Sequence, residues 1–104
     1  MARLEWSVGA LADIDEIAEF ISSRSPGFGP FFVRRVVAAA ERLGEFPRLG
    51  RVLPEHFPEG FRELVFQNYR IVYRHTGEQV VILGVWHGAV DLESHLRNRP
   101  WHIT

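Results

Sequence analysis

The side chains with the greatest chemical capacity stand close together between residues 62 and 88. Arg70 and Arg74 occupy one expected strand beside Tyr69, and His87 ends the strand that follows. A guanidinium makes bidentate contacts with a phosphate or a carboxylate. A histidine at the end of an apolar strand is either a hydrogen-bonded terminus or a catalytic group. These residues are therefore the first candidates for a functional site.

Each candidate also has a purely structural interpretation. Arg70 stands where a cross-strand salt bridge to Glu63 would explain it equally well. Tyr69 and Tyr73 are expected to face the core with their hydroxyl groups bonded to the backbone. Both interpretations stay open for Arg70, whereas the alternation of the strand favours a structural role for Arg74.

Two tryptophans near the C-terminus, Trp86 and Trp101, have a similar ambiguity. Either could anchor a partner protein, and packing of the tail on the sheet is the structural alternative. Arg62 and Glu63 are adjacent, so we expect them on opposite faces of one strand.

Composition excludes several kinds of catalysis. The chain has no cysteine and all its 12 cationic side chains are arginine, which excludes thiolate nucleophiles and Schiff-base lysines. His87 and His95 are separated by two helical turns, and Gly88 interrupts a continuous face, which argues against a metal site. No glycine-rich phosphate loop precedes a helix. We expect neither a metal nor another cofactor.

An antiparallel meander is the element that positions the candidates. An apolar strand from Arg62 leads to a two-residue turn at Gln67–Asn68, and a second strand carries the tyrosines and arginines. A turn at His75–Glu78 then leads to a third strand at Gln79–His87.

The first half of the chain is expected to be helical after a short strand at Arg3–Trp6. Ser7 can cap a first helix with apolar positions at Leu11, Ile14, Ala18 and Ile21. The stretch Arg24–Pro30 ends this helix. A second helix is expected at Phe31–Phe46, and its predicted buried stripe is Phe32, Val36, Ala39, Leu43 and Phe46. Pro47–Gly60 is expected to be a long loop.

Size and charge narrow the class of protein. The chain has 104 residues and 46% hydrophobic residues, which predicts one domain over residues 1–104 with a tail at 91–104. Residues 1–23 carry one arginine against five acids, and the remainder carries eleven arginines against eight acids. This split favours an acidic partner over bare DNA. The acidic residues of the first helix (Asp13, Asp15, Glu16 and Glu19) are expected on a solvated face.

The order and spacing of these segments resemble the RelE/ParE superfamily, the toxins of bacterial toxin–antitoxin pairs. The resemblance covers about residues 3 to 90 and rests on the following motifs: Trp6-Ser7, Phe46-Pro47-x-x-Gly50-Arg51, Arg62-Glu63-Leu64, Tyr69-x-Ile71-x-Tyr73-Arg74 and Val81-Ile82-Leu83-x-Val85-x-His87. It implies an α+β fold: a strand, a helical hairpin packed on one face of the sheet, and a three-strand antiparallel meander. We expect the other face to be open and to carry Arg70 and His87.

The RelE-like branch of the superfamily cleaves mRNA inside the ribosome. That reaction needs a base, an acid and cations around the phosphate. By resemblance the catalytic residues would be Arg70 and His87. The lysine positions of this branch fall on Phe61 and Glu63, and its late arginine falls near Gly88, so the nuclease set is incomplete.

The ParE-like branch acts on DNA gyrase, and the chain resembles this branch more closely. The run from Gly60 to Val65 and the His87-Gly-Ala stretch carry that similarity, although the arginine that often follows the histidine is missing. The resemblance implies target- or partner-binding residues, for which the candidates are Arg62, Tyr69, Arg74 and Trp86.

The resemblance also implies the partners. We expect a cognate antitoxin that folds on the toxin, and DNA gyrase as the target, with the ribosome and mRNA as the alternative. Operator DNA would be contacted only through the antitoxin complex. A third hypothesis is a degenerate member that only binds antitoxin. No apolar run is long enough to span a membrane, and no signal sequence precedes the domain, so we expect a cytoplasmic protein.

Overall fold

The computed structural model describes residues 1–54, 57–97 and 99. Its elements are, in chain order, β1 (Arg3–Trp6), α1 (Val8–Arg24), α2 (Phe28–Glu45), β2 (Arg51–Val52), β3 (Phe61–Phe66), β4 (Tyr69–Thr76), β5 (Gln79–His87) and α3 (Leu92–Arg97). This order confirms the predicted α+β fold with a first strand, a helical hairpin and a three-strand meander. Two short elements, β2 and α3, are additions to the prediction.

The strands form one five-stranded sheet in the order β1-β5-β4-β3-β2. β1 runs parallel to β5, and all other neighbours are antiparallel. Strand β2 corrects the expectation that Pro47–Gly60 is only a loop. It forms because Arg51 pairs with Glu63 and Val52 pairs with Arg62. Its two residues are both exposed, so the sequence has no apolar alternation that would mark a strand.

The helix starts follow from capping. Helix α1 begins where the sequence predicts, because the Ser7 hydroxyl accepts a hydrogen bond from the Ala10 amide at 3.1 Å. Helix α2 begins at Phe28, three residues before the predicted start. Gly27 turns the chain with φ 93°, and Pro30 is tolerated because amides in the first helical turn have no partner inside the helix.

Burial on the helices differs from the prediction at several positions. Phe46 is 55% exposed, because α2 ends at Glu45 and the residue that follows leaves the helical phase. Ala40 is fully buried, and Ala39 is only partly buried. Asp13 is buried rather than solvated, because its side of α1 faces β5.

The sheet carries apolar side chains on both faces. Helices α1 and α2 cover one face. The core between these helices and the sheet contains Ala10, Ile14, Phe32, Val36, Ala40, Leu43, Ile71, Tyr73, Val80, Ile82 and Val85. We call the opposite side the distal face. It carries Phe61, Glu63, Val65, Arg70, Val72, Arg74, Val81, Leu83 and Trp86. Leu92 and Leu96 of α3 pack on this face, so it is partly covered and not open as predicted.

Candidate functional site

Glu63 is the buried charge of the distal face. Its side chain is 1% exposed, and Nη2 of Arg51 lies 2.6 Å from its Oε2. The Nε of Arg70 donates to its Oε1. An unpaired buried carboxylate would cost several kcal/mol, so the arginines of β2 and β4 are what allow Glu63 inside the sheet. The salt bridge considered for Arg70 is therefore present.

These arginines also fix the charge of Glu63. Burial alone raises the pKa of its carboxyl group, but hydrogen bonds and charges from Arg70 and Arg51 outweigh burial and hold the pKa below its ordinary value of 4.5. The group is an anion at neutral pH. Two guanidinium groups against one carboxylate leave this cluster with a single net positive charge.

A shallow concavity of about 420 Å³ opens beside the cluster. It is lined by Arg51, Val65, Gln67, Asn68, Tyr69, Arg70, His87, Gly88 and Ala89. The turn between β3 and β4 shapes it: Gln67 has φ 54°, and the Gly88 amide donates to the Asn68 carbonyl at 2.8 Å. The structure thus brings Tyr69, Arg70 and His87 to one concavity. His87 stands directly opposite Tyr69 in the strand register, so it does not share the distal face with Arg70 as expected.

The hydrogen bond at His87 limits what its ring can do. The exposed His87 imidazole packs edge-on against Tyr69, with ring centroids 5.8 Å apart. Its Nδ1 accepts a hydrogen bond from the Ala89 amide at 3.1 Å. In the neutral ring the proton must then lie on Nε2, which makes that nitrogen a donor. A general base needs a free lone pair, and this arrangement does not offer one.

The concavity can therefore hold an anion through hydrogen bonds and a weak positive charge. Arg70 is only partly available, because its Nε already serves Glu63. Within the described residues, no group of three or more His, Asp or Glu side chains could hold a metal ion.

Arg62 and Tyr73 have structural partners on the other face of the sheet. The Tyr73 hydroxyl donates to the Pro47 carbonyl at 2.7 Å and accepts from the Gly50 amide at 2.9 Å. Nη1 of Arg62 donates to the Gly50 carbonyl at 2.7 Å. The hydroxyl-to-backbone bonding expected for Tyr73 is confirmed, and the two residues together fix the chain between α2 and β2.

The other named candidates are packed to different extents. Tyr69 is half-buried against Phe32, with ring centroids 5.2 Å apart. Trp86 is 7% exposed, and its ring packs against His95 of α3 at 5.2 Å, which is the tail packing that the sequence offered as an alternative. Arg74 has a buried Nε with no hydrogen-bond partner among the described residues. Trp101 lies outside the described residues.

A second groove, of about 350 Å³, lies between α1 and the end of β5. Its lining is mostly apolar and includes Ile17, Phe20, Tyr69 and Val85, with Asp13 and Glu16 on the helix side. We call it the α1 groove. Phe20 is 57% exposed there.

The tip of the helical hairpin carries an aromatic and cationic surface that the sequence reasoning missed. Its residues are Phe20, Arg24, Phe28, Phe31, Arg34 and Arg35. The guanidinium of Arg24 lies 4.8 Å from the Phe20 ring centre, and that of Arg35 lies 5.5 Å from the Phe31 ring centre. The available signal was compositional: residues 20–35 hold three arginines and no acid.

Comparison with known proteins places the whole arrangement among characterised folds. The family model of the ParE toxin of type II toxin–antitoxin systems (parDE) matches residues 4–92. Toxin ParE3 of Caulobacter vibrioides is 36% identical over 64 residues, which is 62% of this chain and 63% of that protein. The chain thus matches somewhat less than two thirds of this relative's length.

A longer match is found with Y4kP of Sinorhizobium fredii, which is 36% identical over 87 residues. The alignment covers 82% of this chain and 86% of that protein. Among solved structures, a chain of the chromosomal ParDE system from P. aeruginosa superimposes with a TM-score of 0.73 at 24% identity. The superposition covers 84% of this chain and 96% of the P. aeruginosa chain. At this identity the likeness concerns the fold.

Proposed function

The chain belongs to the ParE family of type II toxin–antitoxin toxins, and from that premise we propose that it inhibits growth by acting on DNA gyrase until a cognate antitoxin neutralises it. The action is binding without covalent chemistry, and it takes place in the cytoplasm. Operator DNA is reached only through the complex with the antitoxin.

The state of Glu63 and Arg70 is the observation that carries this proposal. A catalytic guanidinium must be free to hold a phosphate as its charge develops. In this chain the Arg70 Nε bonds to a buried carboxylate, and the carboxylate repels the same phosphate. The pair is better suited to stabilising the sheet than to cleaving RNA.

Ribosome-dependent mRNA cleavage is the second candidate, and one observation favours it. Arg70, Tyr69 and His87 line the same 420 Å³ concavity, which is the neighbourhood that a nuclease would need. The acceptor role of His87 Nδ1 counts against it, because a base would have to break that hydrogen bond first.

A gyrase assay tests the primary proposal. Purified chain is titrated into gyrase, ATP and relaxed plasmid, and supercoiling is followed on a gel. We expect supercoiling to stop, or linear gyrase-linked DNA to accumulate. Full gyrase activity with a folded chain, together with cleavage of ribosome-bound mRNA, would replace the gyrase proposal with the nuclease one.

The α1 groove is the surface that best fits the antitoxin. A partner segment that is disordered until it binds needs apolar side chains to bury, and the groove offers Ile17 and Phe20. The neighbouring hairpin tip has three arginines and no acid, which complements an acidic segment. Phe20 lies in the groove and on the hairpin tip, so it joins the two surfaces.

Two phenylalanines of nearly equal exposure provide a matched test of this surface. Phe20 is 57% exposed and Phe46 is 55% exposed, but only Phe20 lies in the α1 groove. The antitoxin is taken as the product of a small gene next to this one. We expect Phe20→Ser to reduce the amount of antitoxin that co-purifies with the chain at least tenfold. Phe46→Ser should leave that amount unchanged. Equal effects of the two substitutions would reject the α1 groove as the antitoxin site.

A further inference from the structure

The guanidinium of Arg99 makes several contacts with described residues at the edge of the sheet, and its side chain is 19% exposed. Its Nη1 and Nη2 lie 3.0 and 3.2 Å from the two carboxylate oxygens of Asp13. Nη1 also donates to the Leu83 carbonyl at 3.0 Å. Its Cζ lies over the Trp86 ring, 4.9 Å from the ring centre. A bidentate carboxylate, a carbonyl and an aromatic face are the contacts that recognise a guanidinium and not an ammonium.

The site around the Arg99 guanidinium forms where one edge of β5 loses its neighbouring strand. β1 pairs with β5 only as far as Ile82. Beyond that point, side chains take the place of a strand. The Ser7 hydroxyl donates to the Leu83 carbonyl at 3.2 Å, and Asp13 Oδ2 accepts from the Val85 amide at 3.0 Å. Asp13 is thus held in place by the sheet edge before any arginine arrives.

Gly9 leaves room for the guanidinium. A Cβ at Gly9 would lie 2.4 Å from Arg99 Nη1 and 2.8 Å from its Cζ. The backbone of Gly9 is not in the left-handed region, so alanine would suit the helix well. The three heavy atoms nearest to that Cβ all belong to Arg99, so the Arg99 side chain is the obstacle that an added methyl group meets first among the described residues.

Arg99 follows the segment that covers the distal face. Leu92 and Leu96 pack there against residues that include Leu83 and Trp86. Helix α3 has six residues and therefore little stability of its own. Its position depends on the tertiary contacts of Leu92, Leu96 and Arg99.

We propose that Asp13, the Leu83 carbonyl and the Trp86 ring form a guanidinium-recognition slot, with Arg99 as its ligand from the same chain. Arg99 in the slot holds α3 on the distal face. When the guanidinium leaves, α3 loosens and the apolar side chains beneath it become accessible. An arginine presented by another protein would compete for the same slot. This inference is independent of gyrase, and its test uses no toxicity measurement.

The first test is hydrogen exchange in α3. We compare the native chain with Arg99→Ala and Arg99→Lys, and follow peptides from α3 and, as a reference, from β4. Both variants should exchange at least tenfold faster in α3 and be unchanged in β4, because lysine cannot make the bidentate contact. If α3 of Arg99→Ala exchanges as slowly as α3 of the native chain, Leu92 and Leu96 hold the helix alone, and the proposed role of Arg99 is wrong.

The second test refills the slot with a small ligand. L-argininamide is added to Arg99→Ala at tens of millimolar, roughly the range for a single-residue ligand, with L-lysinamide as the control of equal charge. Argininamide should restore slow exchange in α3 and lysinamide should not. The double variant Asp13→Asn/Arg99→Ala should respond to neither. An equal response to both amides, or no response to either, would reject guanidinium recognition.

Gly9→Ala gives a test that leaves both members of the ion pair intact. In the native chain the added methyl group displaces Arg99, so α3 should exchange about as fast as in Arg99→Ala. In the Arg99→Ala background the same methyl group meets no guanidinium and should change nothing in α3. If the single variant Gly9→Ala exchanges slowly in α3, the methyl group does not displace Arg99. That result would contradict the close approach of Arg99 to Gly9.

Discussion

Asp13 and Glu63 are the buried carboxylates among the described residues, and they are paired in different ways. Glu63 lies within the sheet and is bonded to arginines of the adjacent strands β2 and β4. Asp13 lies on a helix and is bonded to Arg99, 86 positions away. The pairing of Glu63 follows from strand register, since Arg51 is directly opposite it and Arg70 lies on the neighbouring strand. The pairing of Asp13 depends on where α3 docks, because Arg99 follows that helix. One pair is thus built into the sheet, and the other joins the residue that follows α3 to α1.

The largest effect is expected at Glu63. Glu63→Ala removes the anion and leaves Arg70, whose side chain is only 21% exposed, without its partner in the sheet. We expect a loss of about 3 kcal/mol in the free energy of unfolding, measured with urea. The double variant Glu63→Met/Arg70→Met removes both charges and should return to within about 1 kcal/mol of the native chain. A double variant as unstable as the single one would mean that side-chain packing, and not the unpaired charge, causes the loss.

A smaller effect is expected at Asp13. Asp13→Ala leaves the Val85 amide without its acceptor. The side chain of Arg99 is already 19% exposed, so we expect it to take its charge into water. The expected loss is about 2 kcal/mol, from the unsatisfied amide. Asp13→Asn keeps an acceptor for that amide and should lose about half as much. If Asp13→Ala destabilises the chain more than Glu63→Ala does, the distinction between the pair within the sheet and the pair that involves Arg99 fails.

The smallest effect is a dependence on pH. The folded pKa of Glu63 lies below the ordinary value of 4.5, so the folded state binds the proton less readily than the unfolded chain. The stability from this pair is fully present above about pH 4.5 and is lost as the pH falls through the folded pKa. The stability gap between the native chain and Glu63→Gln should therefore narrow in acid. Urea titrations between pH 7 and pH 3 measure it, and a gap that widens in acid would have the wrong sign.

The same contrast explains how much of the molecule the sequence could predict. The Arg70–Glu63 pair could be considered in advance because two strands joined by a two-residue turn at Gln67–Asn68 have a fixed register. The hydroxyl bonds of Tyr73 followed from its buried phase on β4. Both predictions used only the local order of residues in the meander.

Other features depended on contacts between distant segments. Nothing near Asp13 indicates that residue 99 will reach it, and the acidic run around it reads as a solvated face. The exposure of Phe46 depended on where α2 ends, and the covering of the distal face depended on where α3 docks. Strand β2 has two exposed residues and exists only because β3 lies beside it.

We infer that Arg70 stabilises the sheet through Glu63 and takes no part in a reaction. The most direct measurement is growth of a bacterial host that expresses either the native chain or Glu63→Met/Arg70→Met without antitoxin, with folding checked by circular dichroism. We expect both chains to arrest growth and to inhibit gyrase equally. A folded double variant that permits normal growth would contradict the claim and would make Arg70 part of the toxic mechanism.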